Sequence, residues 1–282
     1  MVYVDVVDLN DRRDDDHLVH TSCGGVIIGA RSVLTAAHCI AVAQRPYITI
    51  VAGVQSLEVA SKNKAQVRIA DAYVKHGNYV GECKITEDKY VLCVNDIALI
   101  RTKDAFNFRP SIKPAVLAGS RSQQKIVSGW IYGWGMTGIG LRSDHLRKAQ
   151  MKAAPLKACK TAYESLVFSD SYWCLVSDKS KAAAACPGDS GGPYVVNDIV
   201  YGLFAFSNVL LDQNDVIVGC DNTKPSVYLN IIKYEKWIKD NVKKLAPQDY
   251  KTHLKFDNGS KSPIIKCLNV LIELKSCYTI PP

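Results

Sequence analysis

No run of apolar residues in this 282-residue chain is long enough to cross a bilayer as a helix, and no membrane partner is expected. None of its ten cysteines forms the C-x-x-C pair that zinc sites favour, and no metal is implied. The stretch SLEVASKNKAQ carries lysines where a calcium loop needs several carboxylates. The 35 basic residues against 27 acidic give a net charge of +8, but the charge is scattered and never interleaved with aromatics. That argues against nucleic acid as a partner and leaves the charge a role in solubility and encounter. There is no convincing internal repeat, and no cofactor is expected. The opening MVYVDVVDLNDRRDDD is acidic and lacks the apolar core of a secretory leader.

What is present is an ordinary globular composition, 48% hydrophobic and 22% charged, with chain enough for a substantial core. Short β-branched segments punctuated by turns predict an all-β protein. GGVIIGARSVLTAAH reads as strand, turn, strand. YITIVAGV, AQVRIADAYV, DIALIRT, KIVSGWIYGWG and DIVYGLFAF are further strand candidates. One helix is expected over 234–245, where Trp237, Ile238, Val242 and Leu245 recur near 3.6-residue spacing and lysines crowd the last turn. The Pro-containing stretch after Thr102 is a candidate link between two halves, with the break near 120. The residues from about 246 to 263 read as loop or linker, followed by an apolar end. Ten widely spaced cysteines suit disulfides and hence an oxidising compartment. A sequon at Asn258 agrees weakly with secretion.

The chemistry concentrates in ACPGDSGGP, Ala185 to Pro193, where glycines and prolines crowd one serine. A serine in such a turn usually means only a turn. Its meaning changes beside LTAAHC (Leu34 to Cys39) and NDIALI (Asn95 to Ile100), which place a histidine, an aspartate and a serine in that chain order. Taken jointly, the three motifs resemble those of the chymotrypsin-like serine proteases, the trypsin family, over roughly residues 18–245. The α/β-hydrolase order of serine, acid, histidine does not match.

The resemblance implies two six-stranded antiparallel β-barrels of the trypsin-like fold with a C-terminal helix. The expected division is a divergent N-terminal segment over 1–17, barrels over about 18–120 and 121–232, the helix at 234–245, and an extension over 246–282. It implies a serine endopeptidase with His38 as general base and acid, Asp96 fixing its tautomer, and Ser190 as nucleophile. The backbone N–H groups of Gly188 and Ser190 would form the oxyanion hole. Ala184, six before the serine, would lie at the base of the specificity pocket, with Ser207 and Ser226 on its walls. Ala205 and Phe206 would pair with substrate backbone. Ala184 offers no carboxylate for a substrate Arg or Lys, so the preference is expected to be chymotrypsin-like or elastase-like, for medium uncharged side chains. Gly133-Trp134-Gly135 and His76-Gly77-Asn78-Tyr79 resemble family segments of structural role. His17, His20, His145 and His253 lack catalytic company.

Family-like bridges are Cys23–Cys39, Cys159–Cys174 and Cys186–Cys220, with Cys83–Cys93 and Cys267–Cys277 inferred from proximity. Asp189 would pair with a freed α-amino group on activation, yet no Ile-Val-Gly-Gly-like segment follows a basic residue. The expectation is that the true start lies upstream and that the protein is secreted although no leader is visible. It would be a monomer acting on polypeptides and open to protein protease inhibitors. The alternative is an inactive protease-fold protein that binds or regulates.

Overall fold

The computed structural model describes the chain except residues 13–17, 59–64, 81–93, 123–127, 138–140, 165–168, 178–182, 258, 260–263, 268–276 and 281–282. The first barrel consists of β1 (Val2–Arg12), β2 (Leu18–Ile27), β3 (Ser32–Thr35), β4 (Pro46–Ala52), β5 (Gln66–Lys75) and β6 (Ala98–Thr102). It closes antiparallel in the order β1-β2-β3-β6-β5-β4. Alternation explains β1: Val2, Val4 and Val6 point into the core while Tyr3 and Asp5 keep partial exposure. The segment expected to be a divergent N-terminus supplies, in Val2–Arg12, the strand that joins β2 to β4.

β7 (Val116–Leu117) follows, then β8 (Ser128–Gly133), β9 (Arg147–Ala154), β10 (Tyr172–Ser177), β11 (Pro193–Val196), β12 (Ile199–Phe206), the hairpin β13 (Val209–Leu211) and β14 (Ile217–Cys220), and β15 (Ser226–Asn230). The run β11-β8-β9-β10-β15-β12 closes through β11–β12 pairing into a second six-stranded antiparallel barrel. β7 joins that sheet in parallel with β12, so the second half begins before residue 120.

Short helices α1 (Ala37–Ala41) and α2 (Leu156–Ala162) sit between strands. A 3-10 turn, Ile231–Tyr234, leads into α3 (Glu235–Leu245), where Ile238 and Val242 are buried. The stretch expected to be a linker instead forms α4 (Pro247–Thr252) and β16 (Lys255–Phe256). Asp249 explains why it folds. Its carboxylate accepts from the Ala30 and Arg31 N–H groups at 2.9 and 2.8 Å and from the Ser32 hydroxyl at 2.7 Å, fastening α4 to the β2–β3 turn. β16 then pairs in parallel with β7. Beyond it, β17 (Ile264–Cys267) and β18 (Cys277–Ile280) form a two-stranded sheet with Cys267 opposite Cys277.

One apolar core runs across both halves. Val26, Ile28, Leu34 and Leu99 of the first barrel pack with Leu203, Val227 and Leu229 of the second and with Ile238 and Val242 of α3. The seam between the barrels is thus continuous hydrophobic structure.

Candidate active site

The loop carrying Ser190 is fixed from both sides of this seam. The Ser190 carbonyl accepts from the Gly24 N–H in β2 at 2.7 Å, and the Gly191 N–H donates to the Phe204 carbonyl in β12 at 2.9 Å. Phe204 returns the bond to the Gly192 carbonyl at 2.8 Å. Gly188 and Gly191 adopt φ of 98° and 74°, a region that penalises any side chain. A Cβ on Gly191 would stand 2.3 Å from the Thr35 hydroxyl oxygen and 2.6 Å from the Gly24 carbonyl. Among the described residues, neither the Gly188 nor the Ser190 N–H donates to a protein acceptor. Two adjacent donors of this kind can bind an oxyanion.

His38 lies on α1, directly after β3, and Cys39 bonds to Cys23 of β2. The Cys39 sulfur lies 3.8 Å from the Ser190 carbonyl oxygen, which brings the histidine helix against the serine loop. Asp96 is buried just ahead of β6 and grips His38 twice. Its Oδ1 accepts from the His38 backbone N–H at 2.8 Å, and its Oδ2 lies 2.7 Å from the ring Nδ1. Burial, the largest single influence, disfavours the imidazolium. The Asp96 charge and hydrogen bond together outweigh it, so the His38 pKa is raised from the ordinary 6.5. With Nδ1 engaged, proton exchange falls to Nε2.

Asn95 supplies the turn that aims Asp96. It sits at φ 56°, a left-handed conformation that asparagine tolerates, and its amide donates to the Asn78 carbonyl at 2.8 Å. The Tyr234 hydroxyl donates to Asn95 Oδ1 at 3.0 Å, tying this turn to the residue before α3. Sequence reading passed over Asn95 and Tyr234. The signal for the first was an asparagine placed where a strand had to be entered sharply.

Asp189, beside the serine, packs its carboxylate over Gly133 and Gly135. Oδ1 accepts from the Gly135 N–H at 2.7 Å, and Oδ2 accepts from the Cys186 N–H at 2.9 Å. A Cβ on Gly133 would fall 1.7 Å from Oδ1, and one on Gly135 would fall 2.5 Å from the carboxyl. These glycines are spaces for Asp189, which accounts for the Gly-Trp-Gly segment physically. Trp134 between them is buried and donates its indole N–H to the Gln55 carbonyl at 3.3 Å. Desolvation pushes the Asp189 pKa up to about 6 from 3.8, against the pull of the two N–H donors.

Two of the expected pocket residues, Ser207 and Ser226, bond the backbone of Ala185. Ser207 donates its hydroxyl to the Ala185 carbonyl at 2.6 Å, and Ser226 accepts from the Ala185 N–H at 3.2 Å. Ala184 is half-buried immediately before it, and Ala205 is buried. Phe206 stacks edge-on against Tyr163 with centroids 5.4 Å apart. Both serine hydroxyls are therefore engaged with backbone.

Disulfides join Cys23–Cys39, Cys159–Cys174 and Cys186–Cys220. The last ties the serine loop to β14. Cys83, Cys93, Asn258 and His17 lie outside the described residues. Cys23 and Cys39 approach His38 closely enough to suggest metal ligands, but their sulfurs are bonded to each other. His20 meets Asp5 at 3.2 Å, while His76 stacks on Tyr234 and Trp237 and His253 on Phe108. His145 forms a bridge with Ser56.

A family model described as Trypsin matches residues 6–238. Human kallikrein-8 is 31% identical over 221 residues, covering 77% of this chain and 75% of the relative. The Drosophila melanogaster protein named serine protease grass is 29% identical, over 78% of this chain and 60% of that protein. The solved structure of neuropsin, a serine protease expressed in the limbic system of mouse brain, superposes with a TM-score of 0.63 at 27% identity. That superposition covers 85% of this chain and 93% of the other.

Proposed function

This chain belongs to the trypsin family and is a serine-type endopeptidase; from that premise we propose that His38, Asp96 and Ser190 are its catalytic triad. Ser190 attacks the scissile carbonyl as His38 takes its proton, and His38 then protonates the leaving amine. Asp96 holds the tautomer and stabilises the imidazolium. The Gly188 and Ser190 N–H groups receive the oxyanion. The observation that carries this reading is the double grip of a buried Asp96 on His38, on a helix packed against the serine loop.

The pocket is assigned to Ala184, Ser207 and Ser226, with Ala205 and Phe206 as the strand that pairs with substrate backbone. No acid among these residues can meet a basic side chain, and an unpaired cation would be costly to bury. The preferred side chain before the cut is medium-sized and uncharged. Asp189 is assigned as the acceptor for an activating α-amino group. Among the described residues its carboxylate accepts from the backbone N–H groups of Gly135 and Cys186, and a nearby cation would stabilise its charge. The protein acts outside the cell as a monomer, on polypeptides, and is open to protein protease inhibitors. Its disulfides suit that compartment.

A peptide panel varying the residue before the cut tests both parts. Expected are cleavage after Ala, Val, Leu or Phe, little after Arg or Lys, and loss of about 10⁴-fold or more in kcat for Ser190→Ala. Preference for Arg or Lys would overturn the pocket assignment, and full activity in the Ser190 variant would overturn the triad.

A further inference from the structure

Between Ser207 and Cys220 the chain leaves the second barrel as a separate two-stranded sheet, β13–β14. Its side chains are unusual for a projecting hairpin. Leu210, Leu211, Val216 and Val218 are 47%, 51%, 56% and 36% exposed. Proteins commonly blunt exposed strand edges with charge or proline, because a bare apolar edge invites pairing.

This hairpin is nevertheless firmly built. At its tip, Asp212 Oδ1 accepts from the Asn214 and Val216 N–H groups at 2.8 and 3.0 Å. At its base, the Asp221 N–H donates to the Asn208 carbonyl at 3.0 Å, and the Asn208 amide donates to Asp221 Oδ2 at 3.3 Å. Asp221 also accepts from the Thr223 N–H at 2.9 Å. The Cys186–Cys220 bond and the Ser207 hydroxyl bond to Ala185 then lock both legs onto the loop that carries Ser190. Two strands alone are marginal in water, so these ties are what hold the apolar side chains out.

We propose that β13–β14 is an extended subsite for the polypeptide substrate, taking apolar side chains upstream of those held in the pocket. This rests on the assignment of Ala205 and Phe206 as the substrate-pairing strand. β13 continues β12 after only Ser207 and Asn208. A substrate paired antiparallel with the end of β12 runs, toward its own N-terminus, onto β13. Among the described residues β13 pairs with β14 alone, which leaves its other edge for a guest strand. Main-chain pairing would supply affinity, and Leu210 and Leu211, on opposite faces of β13 beside the guest, would select aliphatic side chains. The recognised substrate is an extended segment with several apolar residues before the cut.

Four synthetic substrates sharing the same four residues before the cut test this: one ending there, and one each preceded by Val-Leu-Val, Ser-Gly-Ser and Glu-Leu-Glu. The wild-type protein is expected to cleave the Val-Leu-Val peptide with kcat/KM about tenfold above the Ser-Gly-Ser peptide. Leu210→Ser and Leu211→Ser should each bring that ratio toward one. Leu211→Lys, a second variant at an exposed site, should turn the preference toward the peptide preceded by Glu-Leu-Glu. Equal cleavage of the Val-Leu-Val and Ser-Gly-Ser peptides by the wild type would overturn this inference alone. Failure to cleave even the shortest peptide would overturn the catalytic assignment on which it rests.

Discussion

Gly133 and Gly135 show how single residues set the chemistry here without touching a substrate. The Asp189 carboxylate occupies the space their side chains would take. Gly133→Ala is expected to displace that carboxylate, distort the loop that carries Ser190, and cost about 2–4 kcal/mol of stability by overpacking and a lost buried bond. Urea denaturation together with peptidase assay checks both effects. Asp189 itself titrates with a pKa raised to about 6. The folded form then binds the proton more readily than the unfolded one, so its contribution is full below about 3.8 and is lost as pH rises through 6. The stability of the wild type relative to Asp189→Asn should therefore fall between pH 4 and pH 7, measured by thermal melting of both proteins. His38 carries the complementary prediction. Its pKa is raised, and the base must be unprotonated, so the acid limb of kcat/KM should lie above 6.5. The same raised value means that its contribution to stability is full below about 6.5 and is lost as pH rises through the folded pKa. Asp96→Asn should lower kcat by roughly 10⁴-fold, since the ring tautomer is no longer fixed.

At the level of elements, β-branched content between turns made the strands legible. YITIVAGV became β4, which turns Ile48, Ile50 and Ala52 inward; DIVYGLFAF became β12, buried along nearly its whole length; AQVRIADAYV became β5, although its Val67, Ile69 and Tyr73 face outward. β9 was not legible. Its sequence RKAQMKAA is made of good helix formers, yet pairing with β8 and β10 turns Met151 inward and the lysines out. Tertiary pairing overrides propensity here. The α4 segment was missed for a different reason. Six residues beginning with proline carry little helical signal, and what fixes them is Asp249 reaching a turn 217 to 219 residues away. Asp249→Ala leaves the Ala30 and Arg31 amides and the Ser32 hydroxyl without that acceptor. Its expected cost is about 2–4 kcal/mol, read by chemical denaturation, with Asp249→Asn recovering part of it. The hairpin β13–β14 escaped notice because its two apolar stretches flank an ordinary polar turn and belong to no core.

For the molecule as a whole, motif order outperformed local pattern. Leu34–Cys39, Asn95–Ile100 and Ala185–Pro193 lie far apart in sequence, and only their joint identity announced that two barrels would bring them to one seam. The geometry that the sequence left unread is what holds them there. Gly24 and Phe204 bind the serine loop from opposite barrels, Asn95 turns Asp96 inward, and Tyr234 anchors that turn. The most direct test is reaction with a fluorophosphonate, followed by peptide mass spectrometry and repeated across pH. The account expects one adduct per chain, on Ser190, forming faster as His38 loses its proton and abolished by His38→Ala. A folded protein that stays unlabelled at Ser190, or labels as fast without His38, would contradict it.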